Sequence, residues 1–211
     1  MLPRPEAGPK LRRMTAVLLR WALGLFAALA LTSAASAQDG VRDTSFTAPD
    51  GGRVLQHQVE IDATPAQAWA AFTTSEGLKS WAVPVAHADF RVGGIWESTY
   101  YVNGRIGAPG NIQNRYVSFV PTRMVSWQVA RTPPGFPHPE RIKQVVSVAE
   151  FAELSPRKVR VTLSMVGYGR TEADRLLYDK FKAGNAFSLI QLKKRFATGP
   201  IDWTAPKPPK R

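Results

Sequence analysis

Only one long helical segment closes this chain, and a run of short strands ahead of it has no other large element to cover it. From Glu172 to Phe196, apolar residues recur at Leu177, Phe181, Leu189, Leu192 and Phe196, the spacing of one face of a helix about 37 Å long. Asn185 falls on the same side. Gly184 sits mid-helix, where glycine costs about 1 kcal/mol against alanine, so a bulky neighbour packed against the backbone is expected. Upstream, Leu55, His57, Val59 and Ile61 alternate with Gln56, Gln58 and Glu60, the signature of a half-buried strand. Thr64-Pro65 then starts a short helix carrying Ala68, Trp69 and Phe72, and a second covers Ser75 to Trp81. Six strands follow at 86–92, 95–102, 112–120, 124–130, 142–154 and 158–168. Gly93-Gly94 is read as a tight hairpin, Pro121-Thr122 and Ser155-Pro156 as turns, and the four-proline stretch Arg131–Glu140 as a rim loop. A sheet with an apolar face must be covered. The expected fold is therefore α+β: a seven-stranded antiparallel sheet whose inner face the long C-terminal helix covers, with two short helices after the first strand.

The rest of the 211 residues sorts by charge and polarity. Residues 1–37 read as a secretory signal peptide. Arg4, Lys10, Arg12, Arg13 and Arg20 precede the uncharged run Trp21–Leu31, and Ala35-Ser36-Ala37 supplies a cleavage site. That 11-residue run is short of the ~20 needed to span a bilayer. Met14 offers a second start, and Arg12-Arg13 leaves both general and twin-arginine export open. The expected location is periplasmic or secreted, with cleavage after Ala37. Residues 38–52 are expected to form a flexible lead, 53–197 the domain, and 198–211 a basic, proline-rich tail.

The net charge of +12 sits mostly at the ends, since residues 38–192 carry 17 cations against 14 anions. Such a body lacks the clustered cations and interleaved stacking aromatics of a nucleic-acid surface. The tail is read as solvating, with weak contact to an anionic membrane surface as the functional alternative. With no cysteine, disulfides and thiolate metal sites are excluded. His87 and His138 lack ligand partners at helical spacing, so neither metal nor cofactor is expected.

Four motifs in order carry a resemblance. Val59-x-Ile61-x-Ala63-x-Pro65 followed by Trp69 resembles the opening of the helix-grip (SRPBCC) superfamily, which includes START domains and birch-pollen-allergen-like proteins. Asp89-x-Arg91-x-Gly93-Gly94-x-Trp96 is similar to the hairpin of its branch of activators of heat-shock-protein-90 ATPase. Pro121-x-Arg123-Met124 and Leu189-x-x-Leu192-Lys193 match too, so the resemblance spans residues 53–197. It implies a helix-grip fold, the sheet wrapped around the last helix, whose cavity between the two takes apolar or amphipathic molecules. Some relatives are cyclases, aromatases or dehydratases. A chaperone partner is not expected, because an exported protein meets neither cytosolic chaperone nor ATP. Met165 stands where relatives often place a polar residue such as histidine, and Ala68 where they place valine.

Read into that fold, Trp81, Trp96, Tyr100, Phe119 and Phe181 fall inward or at the mouth, with Met165 as an adaptable apolar neighbour. Tyr100 and Asn185 supply polar contacts. His57 faces the helix or cavity and, with Tyr100, is a candidate acid/base. Glu97 alternates outward and Asp89 pairs with Arg91 or Arg123, both as solvated charge. The leading expectation is an exported protein that binds a small hydrophobic ligand: a membrane-derived lipid, an aromatic compound or a quinone-like molecule. A cavity enzyme using His57 or Tyr100, and an envelope interaction protein without ligand, remain alternatives.

Overall fold

The strand predicted from alternation at residues 53–61 lies near one edge of a large sheet, where it carries the last helix. The computed structural model describes residues 37–205; the segment expected to be a signal peptide, up to residue 36, and residues 206–211 lie outside them. Three short strands come first, β1 (Ala37–Gln38), β2 (Val41–Asp43) and β3 (Phe46–Thr47), then β4 (Arg53–Ile61). Helices α1 (Pro65–Thr73) and α2 (Ser75–Lys79) follow, then β5 (Val85–Ala88), β6 (Ile95–Thr99), β7 (Ile112–Val120) and β8 (Met124–Arg131). A short helix α3 (Pro139–Ile142), β9 (Val146–Ser155), β10 (Lys158–Tyr168) and the long helix α4 (Glu172–Thr198) complete the order. The sheet runs β1-β2-β4-β10-β9-β8-β7-β6-β5, every pairing antiparallel, with β3 also on β4.

Seven of these strands, β4 to β10, are the predicted sheet, and the fold is the expected α+β helix-grip arrangement. The lead is different from expectation. Within residues 38–52, Val41 pairs with Val59 and is buried, and Phe46 pairs with Val54, so this segment extends the sheet at its β4 edge. Three-residue strands are too short to show alternation in sequence. Three other boundaries shift. The first hairpin turns over Asp89–Gly94, closed by Asp89 N–H to Ile95 O (3.0 Å) and Gly94 N–H to Arg91 O (2.9 Å). β6 stops at Thr99, not Val102. Pro139 at the first helical position turns 139–142 into α3, burying Ile142 and delaying β9 to Val146.

The helix starts are built as the sequence implied. Thr64 and Gln67 form a reciprocal capping box on α1, and Thr74 accepts from Gly77 N–H on α2. Gly77 is required there: a Cβ would stand 1.9 Å from Ala70 O, so a side chain would push the two short helices apart. Thr171 and Asp174 cap α4 in the same way. Asp174, 2% exposed, also lies 2.6 Å from Arg141 Nε on α3, in an ion pair off the hydrogen-bond line. Arg141 donates in turn to Gly167 O, so α3, the end of β10 and the start of α4 are fastened at one point.

α4 packs chiefly across β4, with β10 and β2 beside it. Two apolar clusters result. The larger joins Val59, Ile61, Phe72, Trp81, Phe151, Leu189 and Leu192 under α1 and the second half of α4. The smaller joins Leu55, Ile142, Met165, Tyr168, Leu177 and Tyr178 under its first half. Among the described residues, no helix is long and apolar enough to cross a membrane. The predicted tail is docked at its start: Ile201 N–H donates to Ser80 O (2.9 Å) and the Trp203 indole N–H to Lys79 O (2.6 Å).

Candidate functional site

Past Phe181, which packs on the smaller cluster, α4 offers only Asn185 and Ser188 inward before Leu189, with Gly184 exposed at the edge. A cavity of about 410 Å³ opens there, within the range typical of small-molecule sites. Its helix wall is Phe181, Gly184, Asn185 and Ser188, successive positions of one helical face. Its sheet wall holds Trp96 and Ser98 from β6, Asn114 from β7, Trp127 and Val129 from β8, and Leu163 and Met165 from β10. Phe72 and Trp81 close the end near α1 and α2, and Pro133 and Phe136 form part of the rim.

Gly184 has a role other than the one its sequence position suggested. Nothing stands within 4 Å of where its Cβ would be. Gly184 is itself exposed, so the missing side chain is open space at the cavity's rim, not a seat for a packed neighbour.

Six predicted site residues line the cavity together: Trp81, Trp96, Tyr100, Met165, Phe181 and Asn185. Trp81 is fixed by its indole N–H donating to Ala71 O at 2.9 Å. Tyr100 is 67% exposed and stands at the mouth.

Two predictions are corrected. Phe119 lies away from the cavity, 4.7 Å from the Phe90 ring and 6.2 Å from Trp69 beneath α1. The pairing of β7 with β8 shifts register between Tyr116 and Ser118, a bulge that re-aims every later side chain. His57 does face α4, at 3% exposure, but it is not among the cavity-lining residues. Burial disfavours its charged form and lowers its pKa; Asp43 opposes that shift and Lys182 adds to it. Those two neighbours pair with each other at 2.8 Å. Burial works against the Asp43 charge, yet Lys182 and Ser45 hold its pKa at about 2. His57 is thus a neutral core histidine beside a surface ion pair, out of position for chemistry in the cavity.

Trp127, Phe136 and Asn114 were missed. The bulge left the face of Trp127 ambiguous in sequence, and Phe136 sits in the proline-rich loop, where periodicity says nothing. Among the described residues no histidine, aspartate or glutamate lines the cavity; its titratable members are Tyr100 and Lys180. Nor does any group of three or more His, Asp or Glu among the described residues stand where it could hold a metal ion.

Two polar atoms on the cavity-lining residues are anomalous. Trp96 Nε1 and Asn185 Nδ2 are both sealed from solvent with no hydrogen-bond partner in the protein. An unpaired buried donor costs about 1–3 kcal/mol, and most buried polar groups are paired.

Glu97, expected in solvent, is only 7% exposed. It points away from the cavity, as alternation required, but the loop 100–111 covers that outer face. Its carboxylate accepts from Gly107 N–H (2.7 Å), Asn111 Nδ2 (2.6 Å) and Gln113 Nε2 (3.0 Å), with Arg131 at 3.8 Å. The loop bearing Tyr100 is tied down from behind by this one carboxylate. Asp89 does pair with Arg91, at 2.9 Å on the surface.

With this geometry in view, comparison with known proteins is informative. The sequence model for Activator of Hsp90 ATPase homolog 1-like protein matches residues 62–197. The chain belongs to this family. A search of curated proteins gave no match. Among solved structures, the Aha1 dimer from Colwellia psychrerythraea is 20% identical with a TM-score of 0.53, covering 69% of this chain and 97% of its own. A protein from Mesorhizobium loti is 14% identical, also at 0.53, over 71% of this chain and 100% of its own. A conserved protein of unknown function from Enterococcus faecalis is 17% identical at 0.53, over 76% and 83%. These likenesses show the fold: an antiparallel sheet and a long C-terminal helix.

Glu97 yields a pH-dependent prediction. Burial works against its charge, but the hydrogen bonds from Gln113, Asn111 and Gly107 and the nearby Arg131 outweigh it, so its pKa in the fold is lowered. Stability from this carboxylate is therefore complete above the unfolded value of about 4.3 and is lost as pH falls through the folded value. Glu97→Gln keeps the shape but turns an amide N–H towards other donors, and is expected to cost about 1–3 kcal/mol at pH 7. Urea denaturation from pH 7 to pH 3 should show that gap constant above pH ~5 and closing below ~4. A gap that widens on acidification would contradict the assignment.

Proposed function

We propose that this protein is an exported carrier that holds one small hydrophobic or amphipathic molecule in the cavity between its sheet and α4. The observation that carries the reading is the composition of the wall: Trp81, Trp96, Trp127, Phe136, Phe181 and Met165 around about 410 Å³, with no histidine or carboxylate. Apolar burial supplies the driving force, at about 25 cal/mol per Å² before the costs of association. An acid/base enzyme needs a titratable group at the reacting atom. His57 lies outside the lining, and Tyr100, exposed over much of its ring at the mouth, has a hydroxyl whose burial raises its pKa above the usual phenol value, away from a base's range at neutral pH. The wall supports binding over proton transfer.

Export rests on the pattern of residues 1–37: cations, an apolar run, then Ala35-Ser36-Ala37. Mass spectrometry of the protein from fractionated cells should find a chain beginning at Gln38 outside the cytoplasm. A full-length chain confined to the cytoplasm would overturn this part.

Binding has a test that does not confuse ligand loss with unfolding. Gly184→Leu puts a branched side chain on the exposed rim of the cavity, where nothing else stands, and replaces a poor helix former with a good one, worth up to about 1 kcal/mol. The variant should melt at or above the wild-type temperature while losing at least tenfold in affinity for N-phenyl-1-naphthylamine. Equal probe affinity in the folded variant would show that the cavity is not the binding site.

A further inference from the structure

We propose that the mouth of the cavity is a docking face for the surface of a bilayer containing anionic phospholipid, with the loop 100–106 as its apolar edge. The proposal rests on the binding reading above and names where the ligand is exchanged. Eleven large apolar side chains stand exposed among the described residues, and four of them share this one loop. They are Tyr100, Tyr101, Val102 and Ile106, each between 43% and 76% exposed. Apolar residues scattered singly over a surface are ordinary, whereas a group of them marks a contact. The loop borders the cavity, because Tyr100 at its start and Ile112 just past its end are both lining residues. Phe187, 62% exposed, lies about one turn along α4 from the lining residue Gly184.

The loop is fastened with these side chains outside. Gly104 N–H donates to Tyr101 O at 2.9 Å, and Asn111 Nδ2 donates both to Arg105 O (2.8 Å) and to the Glu97 carboxylate (2.6 Å). Arg131 holds Ala108 O at 3.2 Å. The loop's polar groups are used on its own support, and its apolar side chains are left to water.

Charge around the mouth selects the partner. Residues 98–139 supply this loop and the rim at Pro133 and Phe136, and they contain four arginines and no aspartate or glutamate. From Lys180 to Thr198, α4 contains five cations and no acid; Lys182 alone of the five pairs with a described acid, Asp43. The acids flanking these stretches are engaged: Glu97 beneath the loop, Glu140 with Lys143, and Asp179 with Arg53 and Arg175. Tyrosines settle at the level of lipid headgroups, aliphatic side chains just below them, and cations against the phosphates. An apolar ligand resides in a bilayer in preference to water. A mouth seated there passes the ligand without exposing it.

Flotation of the mature protein with vesicles tests this. It should bind phosphatidylcholine vesicles that contain phosphatidylglycerol, bind phosphatidylcholine alone at least tenfold more weakly, and be released by salt. The double variant Tyr101→Ser/Ile106→Ser changes exposed residues outside the lining. It should lose about tenfold in vesicle affinity, with its melting temperature and its affinity for N-phenyl-1-naphthylamine, measured without vesicles, unchanged. Because the chain has no cysteine, Ile106→Cys carries one environment-sensitive dye, whose emission should shift to the blue on the anionic vesicles. The same dye at Leu154→Cys, near the end of β9, should not respond. A folded wild type that ignores anionic vesicles, or vesicle binding untouched by the double variant, overturns the proposal. So does a dimer in sedimentation velocity that the double variant abolishes while vesicles go unbound, which assigns the face to a second copy. Docking is read without ligand and probe binding without vesicles. Probe binding lost with docking intact would therefore fell the carrier reading alone, and docking lost with probe binding intact would fell this proposal alone.

Discussion

Everything in this molecule depends on how one helix covers one curved sheet. α4 has to bury the apolar face of β4 and its neighbours along 27 residues, and its sequence does so only at the two ends. Leu177 and Tyr178 seal the first, and Leu189 and Leu192 seal the second. Between them the helix turns only Asn185 and Ser188 inward, with Gly184 exposed at the edge, and Trp96, Trp127 and Met165 line the same cavity from the sheet. Close packing is the norm for protein interiors. A gap of this size set between two well-packed clusters is therefore a property of the chosen side chains, not of a loose fold.

The rest of the architecture keeps that gap in place. At the start of α4, Asp174 caps the helix and pairs with Arg141, which also holds the end of β10 through Gly167 O. At the mouth, Glu97 gathers two donors, Gly107 and Asn111, from the loop that carries Tyr100 and a third, Gln113, from β7. At the β4 edge, Asp43 on the short strand β2 pairs with Lys182 of α4 at 2.8 Å, locking the N-terminal strands to the helix. Each fastening uses a carboxylate whose pKa is lowered in the fold. Their contributions are all present at neutral pH and are lost together on acidification.

Most of the fold was legible because β4 to β10 and α4 have clear periods of two or 3.6, and because Thr64-Pro65 marks a helix start. Trp96 and Tyr100 could be placed by alternation along one hairpin strand. What sequence could not supply was anything set by the third dimension. The bulge beside Val117 has no glycine to announce it, and it displaced Phe119 and hid Trp127. β2 and β3 are shorter than one period of evidence for alternation. His57 faces the helix as read, but whether an inward residue meets a packed core or a cavity depends on the helix residue opposite. Glu97 was correctly turned outward, yet the loop that buries it is irregular and was invisible to periodicity.

The most direct test is native mass spectrometry of the mature protein isolated from its own cells, beside Gly184→Leu prepared in the same way. The account predicts one apolar passenger per chain on the wild type and none on the variant. A wild-type mass with no passenger, or the same passenger on both proteins, would contradict a carrier whose site is the gap at Gly184.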